Sequence, residues 1–139
     1  MPNWWIMRRS ETLSVKLETS FDRAWEFISD PGNLHLWTVD FALEPPGKCG
    51  EIYKVKTPRG VTDLFVKTSR GEGRIDFYFG RDGHFECSES RLLDLHGGGE
   101  LTYYFTQTEP KNAPPGLFER LVSNVRQELE NLKVILESL

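Results

Sequence analysis

Cysteine is scarce: Cys49 and Cys87 are the whole supply. Their spacing matches neither a metal site nor a disulfide framework, so reduced thiols are expected. Histidine is too sparse and too scattered for a metal signature. His35, His84 and His96 have no cysteine or acidic clustering around them, and neither a metal nor a cofactor is expected. Long apolar runs are missing as well. Nothing approaches the roughly 18 residues of a membrane span, which argues against integral membrane association. There is no basic surplus either: 17 Lys and Arg against 21 Asp and Glu leave a net charge of −4. That is the wrong sign for a phosphate-backbone partner, so nucleic acid is not expected as one. Arg8 and Arg9 form the one adjacent basic pair, too little to hold an anionic membrane. No serine sits in a nucleophile-elbow pattern. Gly97-Gly98-Gly99 joins strand to strand rather than strand to helix, which excludes a phosphate loop. Trp4, Trp5, Ile6 and Met7 precede the two arginines, the reverse of a signal peptide's charge order, and a cytoplasmic protein is expected.

What the chain has in plenty is aromatic side chains: nine Phe, four Trp and four Tyr in 139 residues, more bulk than a small core needs. Hydrophobic residues at 38% and charged residues at 27% are ordinary for a soluble globular protein. The length predicts a single domain over 1–139. Residues 1–10 form an N-terminal segment without a clear period. Within it Trp4–Met7 either tucks against the body or stays exposed as an interaction patch.

The final stretch organises the rest. Pro114-Pro115-Gly116 opens it, and apolar residues then recur at Phe118, Leu121, Val122, Val125, Leu129, Leu132, Ile135, Leu136 and Leu139. This three-and-four spacing predicts a helix over 117–139, roughly 35 Å long. It needs a broad surface to cover, and the preceding chain supplies one. Thr12 to Glu18 alternates as a half-buried strand, Ser20 caps a short helix through Ser29, and Asp30-Pro31 opens a second through Leu34 and Trp37. Strands are then expected at Val39–Leu43, Glu51–Thr57, Val61–Thr68, Arg74–Phe79, His84–Leu95 and Leu101–Thr106. The turns between them lie at Pro45-Pro46-Gly47, Pro58-Arg59-Gly60, Arg70–Gly73, Gly80-Arg81-Asp82-Gly83 and His96–Gly99. Short loops between successive strands imply an antiparallel meander with one face covered by the helix.

The segment Leu13 to Trp37, LSVKLETSFDRAWEFISDPGNLHLW, resembles the opening of the START and birch-pollen-allergen-like (SRPBCC) superfamily. The nearest likeness is to its polyketide cyclase/dehydrase and lipid-transport branch. Ser90 to Phe105, SRLLDLHGGGELTYYF, is similar to that family's hairpin before the long helix. The resemblance implies an α+β helix-grip fold, a seven-stranded curved antiparallel sheet wrapped around the C-terminal helix with a cavity between them. It implies a small hydrophobic ligand, of lipid, polyketide or aromatic class. Because a fold does not specify chemistry, the site has to be argued from residues.

The expected lining is the apolar face of each strand plus one stripe of the helix: Phe41, Tyr53, Val55, Phe77, Phe79, Tyr103 and Phe105 from the sheet. Leu34 and Trp37 come from the short helices, and Phe118, Leu121, Val122 and Val125 from the long one. In the strand from His84, Phe85, Cys87, Glu89, Arg91 and Leu93 share a face. If that face looks inward, Glu89 and Arg91 handle protons or orient a polar ligand end. If a bulge or slip intervenes, they meet solvent. Tyr103 is the third candidate for a proton-handling role. His35, Asp40 and His84 lie in sequence where a cavity mouth is expected, though such loop polar residues need no special reason. Carriage or sensing of the ligand is the primary functional reading. An aromatase/cyclase-type enzyme without metal or covalent nucleophile is one alternative, and a protein-interaction module without a ligand is another. Oligomeric state has no signature in the sequence.

Overall fold

The computed structural model describes residues 8–95 and 100–138. The expectations for Trp4–Met7, for the His96–Gly99 turn and for Leu139 lie outside the described residues. Strand β1 (Ser10–Leu17) leads into helices α1 (Phe21–Ser29) and α2 (Leu34–Trp37). Six strands follow: β2 (Gly47–Cys49), β3 (Ile52–Thr57), β4 (Gly60–Ser69), β5 (Arg74–Arg81), β6 (His84–Asp94) and β7 (Leu101–Thr108). Helix α3 (Leu117–Glu137) closes the chain. The seven strands form one antiparallel sheet in the order β1-β7-β6-β5-β4-β3-β2. The two short helices carry the chain from one edge of the sheet to the other, and the meander brings it back to pair β7 with β1. This is the α+β helix-grip fold expected.

The local signals act as their chemistry requires. The Ser20 hydroxyl accepts from the Arg23 N–H at 3.2 Å and caps α1. An Asp30 carboxylate oxygen accepts from the Gly32 N–H at 2.9 Å, with Pro31 buried as the first residue of a 3-10 turn into α2. The β5–β6 hairpin turns on Asp82 and Gly83, both with positive φ (52° and 78°). Gly80 and Arg81, expected in that loop, belong to β5. A Cβ on Gly80 would come within 1.9 Å of the His84 carbonyl oxygen, so this glycine serves close approach of two strands.

One strand was expected in the wrong place. Residues 39–46 form a loop and Gly47–Cys49 takes the edge position. Asp40 adopts φ 56°, which no strand accommodates, and the Val39 N–H is bonded to the Glu128 side chain rather than to a neighbouring strand. Leu43, expected to share a face with Val39 and Phe41, is exposed.

Helix α3 lies mainly over β1 and β7. Val122, Leu129, Leu132 and Leu136 are buried beneath it, together with Leu13, Val15 and Leu17 of β1 and Leu101 and Tyr103 of β7. Part of the aromatic surplus lies on the other side of the sheet. There Phe65 stacks on Tyr78 at 4.8 Å, Phe85 meets Phe65 edge-on at 5.1 Å, and the Lys67 ammonium sits over Tyr78.

Candidate functional site

Because α3 sits over the β1–β7 edge, the concave face of β4, β5 and β6 is incompletely covered. A cavity of about 380 Å³ fills the space. Its floor is Leu64 of β4, Phe77 and Phe79 of β5, Glu86 and Ser88 of β6, and Phe105 and Gln107 of β7. Cross-strand pairing explains this set. Phe77 pairs with Ser88 and Phe79 with Glu86, and directly opposed residues in an antiparallel sheet share a face. One end wall is aromatic: Trp37 packs edge-on to Phe77 at 6.5 Å and Phe41 edge-on to Phe79 at 6.0 Å. Leu34, Thr38, Val39 and Asp40 complete that end, and Arg8, Arg59, Pro110 and Thr108 contribute to the lining from the surrounding loops and strand ends.

The roof is α3, in two lanes at helical spacing. Leu117, Leu121 and Val125 form an apolar lane. Arg120, Asn124 and Glu128 form a polar one beside it. Exposure falls along the polar lane, from exposed Arg120 through half-buried Asn124 to Glu128, which is 9% exposed.

Glu128 is the feature that sequence reasoning missed. Its Oε2 accepts from the Val39 N–H at 2.8 Å, and among the described residues nothing is hydrogen-bonded to Oε1. Burial, with a smaller contribution from nearby Asp40, pushes its carboxyl up to about 8; the Val39 N–H works the other way. At neutral pH this side chain is therefore largely a neutral acid. One turn on, the Asn131 amide donates to the Trp37 carbonyl at 3.1 Å, so two α3 side chains fix the segment that builds the aromatic wall. Thr38 Oγ1 also donates to the Leu34 carbonyl at 2.6 Å. Arg59 Nη2 donates to the Asp40 carbonyl at 3.0 Å, holding the left-handed residue in place. A buried carboxyl on a helix face was readable as an oddity, since Glu128 falls one residue before Leu129 and three after Val125.

Of the expected lining, Leu34, Trp37, Phe41, Phe77, Phe79, Phe105, Leu121 and Val125 border the cavity. Val55 and Tyr103 are buried, but neither is in the cavity wall, and neither is half-buried Tyr53. Phe118 and Val122 turn away from it. Phe118 lies beneath the Arg9 guanidinium at 4.6 Å, and Arg9 in turn pairs with Glu109 and Glu119, each at 2.7 Å.

Of the two alternatives for Glu89 and Arg91, the solvent-facing one describes where they lie. They do share a face with Phe85 and Cys87, as expected, but that face is the outer one. Asp76 pairs with Glu89 and Arg74 with Arg91 across the strands, and both Glu89 and Arg91 are exposed. Glu89 lies 3.9 Å from Arg74, on the side of the sheet away from α3. The Tyr103 hydroxyl is buried near Ser90, whose own proton goes to the Ile75 carbonyl at 2.5 Å, and among the described residues no geometric hydrogen bond reaches it. His84 is exposed and His35 is outside the lining, whereas Asp40 is part of it. Among the described residues no three His, Cys, Asp or Glu side chains gather to hold a metal, and no helix is long and apolar enough to cross a membrane.

No family model and no curated protein matches the sequence. Solved structures do match the fold. A START superfamily protein from Mycobacterium smegmatis superposes with a TM-score of 0.66 at 10% identity, over 95% of this chain and 99% of that one. The Aha1 dimer from Colwellia psychrerythraea gives 0.71 at 12% identity, over 93% and 96%. DynU16, a protein of the dynemicin biosynthetic locus, gives 0.65 at 18% identity; 92% of this chain matches 47% of that one. At these identities the likeness establishes the helix-grip fold and nothing finer.

Proposed function

We propose that the chain binds a small hydrophobic molecule, of lipid, polyketide or aromatic class, between its sheet and its C-terminal helix, and that it carries or senses that molecule as a single-domain binder. The observation that carries this reading is the cavity of about 380 Å³ with Trp37, Phe41, Phe77, Phe79 and Phe105 in its wall. That size and that mixture of aromatic surface with a few placed polar groups are what small-molecule sites have. Likeness in fold to a START superfamily protein and to a protein of a biosynthetic locus supports the same reading. The cyclase-type alternative loses support from Glu89 and Arg91, which point to solvent, and from Tyr103, which is behind the wall.

Native mass spectrometry of the purified protein should reveal a co-purified apolar molecule, and an apolar fluorescent dye should bind with a blue-shifted emission. Leu121→Trp places an indole in the apolar lane of the roof without burying a charge. It should reduce dye affinity at least tenfold while leaving the circular-dichroism spectrum unchanged. Equal dye affinity in that folded variant would place binding elsewhere.

A further inference from the structure

We propose that the Glu128 carboxyl is the polar anchor of the cavity, donating a hydrogen bond to the carbonyl oxygen of an apolar, carbonyl-bearing ligand. This rests on the cavity being a ligand site, and adds to it the chemical class of the ligand and the atom that recognises it.

The geometry is that of a one-point recognition site. The carboxyl is more than nine-tenths buried, belongs to the cavity wall, and has one oxygen fixed by the Val39 N–H at 2.8 Å. That bond occupies Oε2 as an acceptor and leaves Oε1 to the cavity. A carboxyl oxygen that a ligand cuts off from water is costly unless the ligand pairs with it, so an occupant of this cavity gains by offering Oε1 a partner. An acid proton on Oε1 has no protein acceptor among the described residues, so it selects for an acceptor on the ligand. Asn124, one turn towards the exposed end of the lane, adds a side-chain amide to the same polar lane of the lining. The aromatic wall of Trp37, Phe77 and Phe79 suits a flat apolar body.

The surrounding groups leave this carboxyl protonated at neutral pH. Asp40, from the loop after α2, opposes its ionisation, and burial does so more strongly. The cations in the lining are engaged or distant along the lane. Arg8 pairs with Glu86 of β6 at 3.2 Å, Arg59 donates to the Asp40 carbonyl, and Arg120 lies two turns away at the exposed end. The Cys87 thiol and the Tyr103 hydroxyl are both pushed upward by burial and ionise above Glu128. Glu128 is therefore a group of this wall whose charge changes when the solution is taken from about pH 6 to above pH 9.

The test uses two naphthalene dyes that differ by one carbonyl group, 6-propionyl-2-(dimethylamino)naphthalene and 2-(dimethylamino)naphthalene. Affinities are read by fluorescence titration of the full chain near pH 6 and near pH 9.5. At the lower pH the ratio of affinities, ketone over parent, should be about tenfold larger for the unaltered protein than for Glu128→Met. That excess should disappear at the higher pH, where the carboxylate can no longer donate. Glu128→Gln keeps an acceptor for the Val39 N–H and a donor for the cavity, so it should hold the ketone preference at both pH values. An unchanged ratio in Glu128→Met, or a pH-driven loss that persists in Glu128→Gln, would overturn the anchor while leaving the cavity reading intact. Failure of the unaltered protein to bind either dye would overturn both. Should Glu128→Met not fold, the pH profile of Glu128→Gln alone decides.

Discussion

The two halves of α3 have the same helical period and opposite jobs. From Leu129 to Glu137 the helix is sealed to the sheet: Leu129, Leu132 and Leu136 are buried, and the Glu137 carboxylate accepts from the Glu18 N–H at 2.9 Å. Lys133 bridges the Lys16 carbonyl and Glu137 on the same side. From Leu117 to Glu128 the helix shares its inward surface between packing and an open space, and the side chains at that space alternate apolar and polar. The difference teaches that one amphipathic pattern can seal a core at one end and roof a cavity at the other, because the side chains beneath fill the space under only one of them.

The sharpest way to break that comparison is to make the same deletion in both halves. Leu132→Ala, at a fully buried site outside the cavity lining, should cost about 2–5 kcal/mol in urea unfolding. Leu121→Ala only enlarges an existing cavity and should cost about 1 kcal/mol or less. Equal costs would mean that the cavity half packs as tightly as the sealed half.

A smaller effect is expected from Glu128. Its carboxyl is raised from 4.5 to about 8 by burial, so between these values the folded chain holds a proton that the unfolded chain releases. This group's contribution to stability is therefore fully present below about pH 4.5 and declines as pH rises through 8. Glu128→Gln should remove that decline and make the protein more stable than the parent by about 1–3 kcal/mol near pH 8.5, with little difference near pH 4.5. A parallel pair of stability-against-pH curves would rule it out.

The smallest effect belongs to the latch of the sealed half. Glu137 is held below its ordinary range by Lys133 and by the Glu18 N–H, so its contribution is present above the ordinary carboxylate range and lost as pH falls through its lowered value. Lying half-buried at the surface, it should register in Glu137→Gln as a slight fall in Tm at neutral pH that shrinks further in high salt. A salt-independent fall would show that the latch works by packing instead.

Much of this was legible in the chain. Leu13, Val15 and Leu17 announce β1 by strict alternation, Ser20 and Asp30-Pro31 mark the two short helices, and the spacing from Phe118 to Leu136 requires the long one. Of the eight nominated wall residues that border the cavity, seven do so because period places them on the inward face of their elements, whereas Phe41 reaches it from a loop. Strand β6 was not legible in this way. Its two faces, Phe85-Cys87-Glu89-Arg91-Leu93 and Glu86-Ser88-Ser90-Leu92, are both mixed, and alternation says which residues go together but not which set goes in. Residues 39–43 alternate like a strand, yet Asp40 and the pull of Glu128 on Val39 make them a loop.

The sequence by itself determined the order and type of the elements, and hence a helix gripped by an antiparallel sheet, since hydrophobic period and turn chemistry are local properties. Only the tertiary structure decided where the helix lies on the sheet and which face of β6 looks inward. It also decided that Arg120, Asn124 and Glu128 roof a cavity rather than meet water. Those outcomes depend on cross-strand register and on the position of α3 towards the β1–β7 edge. Both are set by packing between residues far apart in the chain, which no local pattern encodes.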